Sequence, residues 1–182
     1  PGDIHFLDAS HGWIVTDFAT YRTTDGGAGW SIMTMPFGQS PIYQEECLAF
    51  DTQTRLVCTD GEGAEIWRTT NDRQTWTRTL DYSGVLGVTD LERIPGGGIV
   101  ATTTAGDLLR SSDDGITWTN TTQVAGPPAR SSLSVIDVHP SGIGFAGGWS
   151  YNWMATLDGG RNWSTPAFAP GLREIFAITV RD

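Results

Sequence analysis

The residues of this chain that could do chemistry are few and scattered. Asp17, Asp60, Glu62, Asp81 and Asp107 could supply the two carboxylates that a glycoside hydrolase sets across a cleft. The chain has 182 residues, 21 Asp and Glu, 11 basic residues and a formal charge of −10, so acidic loop residues are also expected simply as solvated surface. His5, His11 and His139 stand one at a time and make no metal-ligand grouping with Cys47 and Cys58. Asp60-Gly61-Glu62-Gly63 falls short of the ligand count of a calcium loop. No Gly-rich phosphate loop precedes a helix, so neither a metal nor a cofactor is expected. Asn120-Thr121-Thr122 and Asn162-Trp163-Ser164 match the glycosylation pattern, the second inside a repeated turn. Every basic residue is Arg. The acidic balance argues against a nucleic-acid partner, whose phosphates need clustered cations.

The elements that must carry these residues are set by a repeat. Ser111-Ser112-Asp113-Asp114-Gly115-Ile116-Thr117-Trp118 recurs as Thr23–Trp30, Thr69–Trp76 and Thr156–Trp163. The closing Trp30, Trp76, Trp118 and Trp163 are 42 to 46 residues apart, a period of stacked or radial repeats. In each copy an acid or amide (Asp25, Asn71, Asp113, Asp158) can accept backbone N–H groups and close a tight hairpin. The opening Ser or Thr offers a hydroxyl to the same turn, Gly at the fifth position can take φ > 0, and the Trp carries a large apolar plate into the core. The motif therefore reads as a structural staple, and the four Trp residues are expected in equivalent, largely buried positions.

Around these turns the chain reads as blades of four short antiparallel strands, at about 3–35, 42–80, 86–122 and 133–166. In the first, the strands are Ile4–Leu7, Trp13–Thr16, Thr20–Thr23 and Trp30–Met33; in the fourth, the last strand is Trp163–Thr165. Residues 174–180 read as one further innermost strand. The 23 Gly and 9 Pro suit frequent turns, no stretch keeps a helical period, and no apolar run could span a bilayer. The expected class is all-β, a single propeller domain over 1–182. Four blades and a lone strand do not close simply, so a larger ring is expected, with a four-bladed ring plus an extra strand as the alternative.

The motif resembles the Asp box of sialidase-type (BNR) β-propellers, where it joins the third and fourth strands of a blade at the rim. The first blade, Phe6-Leu7-Asp8-Ala9-Ser10-His11-Gly12-Trp13-Ile14-Val15 with Arg22-Thr23-Thr24-Asp25-Gly26-Gly27, resembles the photosystem II assembly and stability factor family. Two departures stand out. Thr16-Asp17 replaces the Gly usual after the second strand, and the second box carries Asn71 and Arg73 for Asp and Gly. Arg93-Ile94-Pro95 is similar to a sialidase triplet but has Glu92 where an aromatic belongs, and it follows two boxes instead of preceding them.

Candidate contact residues follow from propeller geometry. Arg22, Arg68 and Arg110 each stand three residues before the box acid, where the fourth blade has Ala155. They read either as an anion-binding stripe or as local partners of acids in their own blades. Trp149, Tyr151, Arg130 and Arg173, with Tyr82, fall on the loops of one face, and aromatic and Arg side chains are favoured anchors there.

The cysteines bear on the compartment. If Asp51-Thr52-Gln53-Thr54 makes a two-residue hairpin, Cys47 lies opposite Cys58, at a Cα separation of about 4.5 Å that a disulfide can span. Such a bridge implies an oxidising compartment: periplasm, thylakoid lumen or cell exterior. The other reading is a pair of free thiols. The start at Pro1, without Met or leader, leads to the expectation of a mature or trimmed product.

The leading expectation is thus a non-enzymatic, exported propeller. It would bind or help assemble a larger membrane-bound, multi-subunit complex, photosynthetic by resemblance, as an extrinsic subunit or assembly factor with no transmembrane segment of its own. The alternatives are a partial sialidase-like or xyloglucanase-like carbohydrate-active propeller and a sortilin-like or adhesin-like extracellular module.

Overall fold

The computed structural model describes residues 3–16, 19–33, 44–49, 55–59, 64–71, 75–82, 87–94, 96–122, 131–150, 152–165, 174–175 and 178–179. All its regular structure is β. The chain divides into two compact units, Pro1–Gly87 and Val88–Asp182.

The first unit holds two four-stranded meanders. β1 (Asp3–Phe6), β2 (Gly12–Val15), β3 (Thr20–Thr23) and β4 (Ser31–Ile32) pair in sequence order. β5 (Gln44–Ala49), β6 (Arg55–Thr59), β7 (Ala64–Thr69) and β8 (Thr77–Tyr82) do the same. The second unit repeats the plan with β9 (Val88–Arg93), β10 (Ile99–Thr103), β11 (Leu108–Ser111) and β12 (Thr119–Asn120). Its other sheet has three strands, β13 (Leu133–Val138), β14 (Gly144–Gly148) and β15 (Trp153–Thr156). The fourth strand expected at Trp163–Thr165 shrinks to one bridge, Ala155 to Ser164. The expected strand over 174–180 is likewise a single bridge among the described residues, Glu174 to Trp149.

The repeated turn is a two-side-chain lock. In the third blade the buried Ser111 hydroxyl donates to Asp113 Oδ1 at 2.8 Å and accepts the Gly115 amide at 2.8 Å. Asp113 Oδ1 also accepts the Thr117 amide at 2.9 Å, and its Oδ2 accepts the Thr117 hydroxyl at 2.6 Å. Thr23 with Asp25 and Thr156 with Asp158 repeat the pattern, each hydroxyl to carboxylate at 2.8 Å. In the fourth blade Asn162 donates both its amide and its side-chain N–H to Asp158. The backbone must turn sharply to present those donors. Asp114 sits at φ 56 and Gly115 at φ 81, the left-handed region where a missing Cβ removes the strain.

The second box shows why an amide can replace the acid. Asn71 Oδ1 accepts the Thr69 hydroxyl at 3.2 Å and the Thr75 amide at 3.0 Å, as the carboxylates do. The outer bond reverses direction: Asn71 Nδ2 donates to the Thr75 hydroxyl at 2.9 Å, where Asp113 accepts from Thr117. The tryptophans end less alike than expected. Trp163 is buried and donates to the Gly160 carbonyl at 3.1 Å, whereas Trp30, Trp76 and Trp118 are half-buried. Trp30 makes the corresponding bond to Gly27 at 3.2 Å and meets Phe6 edge to face.

Neighbouring blades share a core in the second unit. Ile94, Val100 and Leu108 of one blade pack with Leu133, Ile136, Val138, Ala146, Met154 and Trp163 of the next. Polar clamps fix the same junction. Asp90 Oδ2 accepts the Ile136 amide at 2.8 Å, and the Thr89 hydroxyl donates to the Leu133 carbonyl at 2.6 Å. The innermost strand β13 thereby has an edge amide satisfied from the adjoining blade, where an unmet buried N–H would cost about 1–3 kcal/mol.

The register of β5 and β6 differs from the one expected around the cysteines. β5 pairs Cys47 with Val57 and Glu46 with Cys58, with an irregularity between Gln44 and Glu46. The expected hairpin at 51–54 lies outside the described residues, and along the paired strands Cys47 and Cys58 are not register partners. Alkylation of the native protein without reductant should therefore add two groups by intact mass. A mass two hydrogens short of the dithiol, with no alkyl added, would restore the bridge.

The lock makes its own prediction. Asp113→Ala should lower unfolding stability by about 1–2 kcal/mol, while Asp113→Asn, copying Asn71, should change it by less than about 0.5 kcal/mol. Denaturant titration of the two variants measures the contrast. Hydrogen bonds from the Thr117 hydroxyl and amide hold the Asp113 carboxyl at about 2. Its stabilisation is therefore present above the ordinary carboxylate range and is lost as pH falls from about 4 towards about 2.

Candidate functional site

Cross-strand register lines up one row in every blade. The rows are His5–Trp13–Arg22, Leu48–Leu56–Arg68, Glu92–Val100–Arg110 and Asp137–Phe145–Ala155. Arg22, Arg68 and Arg110 thus occupy one equivalent place in the third strands, with Ser31, Thr77 and Thr119 beside them on the fourth. Arg22 and Arg68 belong to the first unit and Arg110 to the second. The Arg110 Nε is buried with no hydrogen-bond partner among the described residues. The ion pairs that Arg78 makes, with Glu65 at 2.5 Å and Asp81 at 3.2 Å, do not involve these three Arg residues.

In the fourth blade, the β14–β15 turn presents Trp149, 47% exposed. Both its backbone polar groups are bonded, and the next bond along ties the turn to the residues leading into β13. The Trp149 amide donates to the Ser132 carbonyl at 2.9 Å, the Asn152 amide donates to the Trp149 carbonyl at 3.1 Å, and Asn152 Nδ2 donates to the Ser131 carbonyl. Ser150 follows at φ 54. Gly148 must be glycine, since a Cβ there would lie 1.9 Å from the Ser132 carbonyl oxygen. Trp149 is a rigidly mounted, half-exposed plate. Tyr151, Arg130 and Arg173 lie outside the described residues, and so do Asp17, Asp60 and Glu62. Of the remaining candidate carboxylates, Asp107 is buried, 8% exposed, and Asp81 is tied to Arg78. The described residues bring together no carboxylate pair on that loop face.

The carboxylates that do converge are others. Glu92 at the end of β9 and Asp137 near the end of β13 line an open cleft of about 450 Å³ with Arg93, Ile94, Val138, His139 and Pro140. Burial, then the negative charge of Asp137 and of Asp90, raises the Glu92 carboxyl to about 7. No donor among the described residues reaches the Glu92 carboxylate. Glu92 and Asp137 stand the same distance before their box acids, Asp113 and Asp158. That shared offset is the signal by which sequence could have paired them. Among the described residues no group of three or more His, Cys, Asp or Glu is placed to hold a metal ion, and no helix is long and apolar enough to cross a membrane.

The raised carboxyl makes a stability prediction. Between its ordinary value of 4.5 and about 7 the folded chain binds the Glu92 proton that the unfolded chain releases, so stability falls as pH rises through this window. Glu92→Gln should therefore raise stability by about 1–3 kcal/mol at pH 8 and by little at pH 4.5. Thermal melts at the two values check it, and an equal gain at both would contradict the account.

Comparison with known proteins completes the site. A family model described as "Photosynthesis system II assembly factor YCF48" matches residues 1–123. No curated protein matches the chain. Among solved structures, "YCF48 bound to D1 peptide" is similar at 22% identity and a TM-score of 0.66, over 88% of this chain and 52% of that one. YCF48 from Cyanidioschyzon merolae is similar at 17% identity and TM-score 0.64, over 94% and 57%. An ancestral GH74 enzyme is similar at 16% identity and TM-score 0.73, over 92% of this chain and 24% of that one. These likenesses show the fold: the sheets are blades of the Asp-box β-propeller type. The chain spans about half the length of the YCF48 structures and a quarter of that enzyme.

Proposed function

Because this chain belongs to the photosynthesis system II assembly factor YCF48 family, we propose that it is a binding propeller that helps assemble a membrane-bound, photosynthetic complex. The single observation that carries this reading is the family match over residues 1–123. A structure titled as YCF48 bound to a D1 peptide shares the fold and supports a polypeptide as the ligand class. Within this reading the protein is exported, to periplasm or thylakoid lumen, and acts as an extrinsic factor without catalysis of its own.

The residues that fit the role are those built for contact. Arg22, Arg68 and Arg110 repeat one cationic place from blade to blade, suited to carboxylates or a chain terminus of the partner. Trp149 adds an aromatic plate whose backbone is already fixed, so little ordering entropy is lost when a partner covers it. The fold shared with the GH74 enzyme carries no activity at 16% identity.

Purification from native membranes in mild detergent tests the proposal. The chain should be recovered with a multi-subunit membrane complex. Replacing any one of Arg22, Arg68 or Arg110 by Ala should weaken that recovery about tenfold, the effect of losing ~1.4 kcal/mol of contact. Recovery as a free monomer, together with hydrolysis of a β-glucan or sialoside, would overturn it.

A further inference from the structure

The cleft at the ends of β9 and β13 is not used by that reading. Its walls are of two kinds. Ile94, Val138 and Pro140 are apolar, and Glu92 and Asp137 bring carboxylates from adjoining blades. A narrow apolar wall ending in carboxylates suits a long aliphatic stem with a charged head, because the stem buries along hydrocarbon while the head finds acid. We propose that this cleft is a subsite for one cationic side chain, Lys or Arg, of a partner polypeptide.

The electrostatics favour a cation over an anion. The neighbours that perturb Glu92 are both acidic, Asp137 and Asp90, and both act in the same direction as burial. Arg93 also lines the cleft, on its exposed side, and is not among the determinants of Glu92. His139 holds Nδ1 against the Ser141 hydroxyl at 2.9 Å. Across β10 the residue facing Glu92 is Val100, which carries no charge. Asp90 accepts the Leu91 and Ile136 amides, so it is fixed in the blade junction and contributes field without moving. Glu92 alone meets no donor among the described residues. An arriving ammonium or guanidinium would supply that donor and draw the carboxyl back to its ionised form.

The inference rests on the geometry of the second unit alone and holds whether or not the chain serves a photosynthetic complex. It is tested on the full chain by two-dimensional NMR with the peptide acetyl-Gly-Lys-Gly-amide and its norleucine analogue. The Lys peptide should shift the amides of Glu92, Ile94, Asp137 and Val138 saturably at pH 8, and the norleucine peptide should not. The apparent affinity should be about tenfold weaker at pH 6, where a carboxyl titrating at about 7 is about one-tenth ionised. Glu92→Gln should abolish this pH dependence, His139→Gln should keep it, and Asp137→Asn should weaken binding severalfold while the spectrum stays folded. In the unaltered chain, saturating Lys peptide should also lower the titration midpoint of the Glu92 side-chain carbon by about one unit or more. Equal shifts from the two peptides, or a Glu92 midpoint unmoved by Lys, would overturn the assignment.

Discussion

The interaction on which the blades depend is a hydroxyl buried at the end of the third strand, with an acid or amide two residues beyond it. Ser111 and Asp113 between them accept the Gly115 and Thr117 amides and bond to each other. The turn thus satisfies its own donors without help from distant chain, and an amide left unmet there would cost about 1–3 kcal/mol. Closing the turn locally has a tertiary consequence. In the fourth blade it presses Gly160 against Val100 and Ile94 of the preceding blade, where a Cβ would come within 3.0 Å of Val100. The same lock that shapes the hairpin therefore sets the spacing of neighbouring blades and delivers Trp163 into their shared core.

How much of this was legible in sequence depended on the range of the interaction. The boxes could be read because every bond in them falls within six residues. Strands could be read from period-two alternation and the turns between them. Register could not. β5 pairs Cys47 with Val57, one position from Cys58, and nothing along either strand alone carries that offset. The last strands of the first and fourth blades are shorter than expected. β4 has two residues and the fourth blade has one bridge, Ala155 to Ser164. Among the described residues of 174–180, one bridge forms, Glu174 to Trp149, with the Ile175 amide donating to the Gly148 carbonyl.

The cleft was missed because its two acids are 45 residues apart and belong to different blades. Glu92 drew notice only as the wrong residue in an Arg-Ile-Pro triplet. Laying the repeats in register would have placed it level with Asp137. It would also have shown the contrast with His5 and Leu48, the residues on the same row in the other two blades. Repeat register carries information about tertiary neighbours that no window along a single strand contains.

That row also explains how one chain can offer surfaces of both signs. In the third blade Glu92 lies on the innermost strand and Arg110 on the third, with Val100 between them. Strands stand about 4.8 Å apart, so the two charged residues are separated by about 10 Å of backbone. Val100 is fully buried and leaves no polar path between them. Had they touched, the guanidinium would hold the carboxyl low; instead burial and two acids hold it high, and Arg110 is not among its determinants. The sheet acts as a spacer. It keeps a cation on the third strand and an acid on the innermost one from neutralising each other.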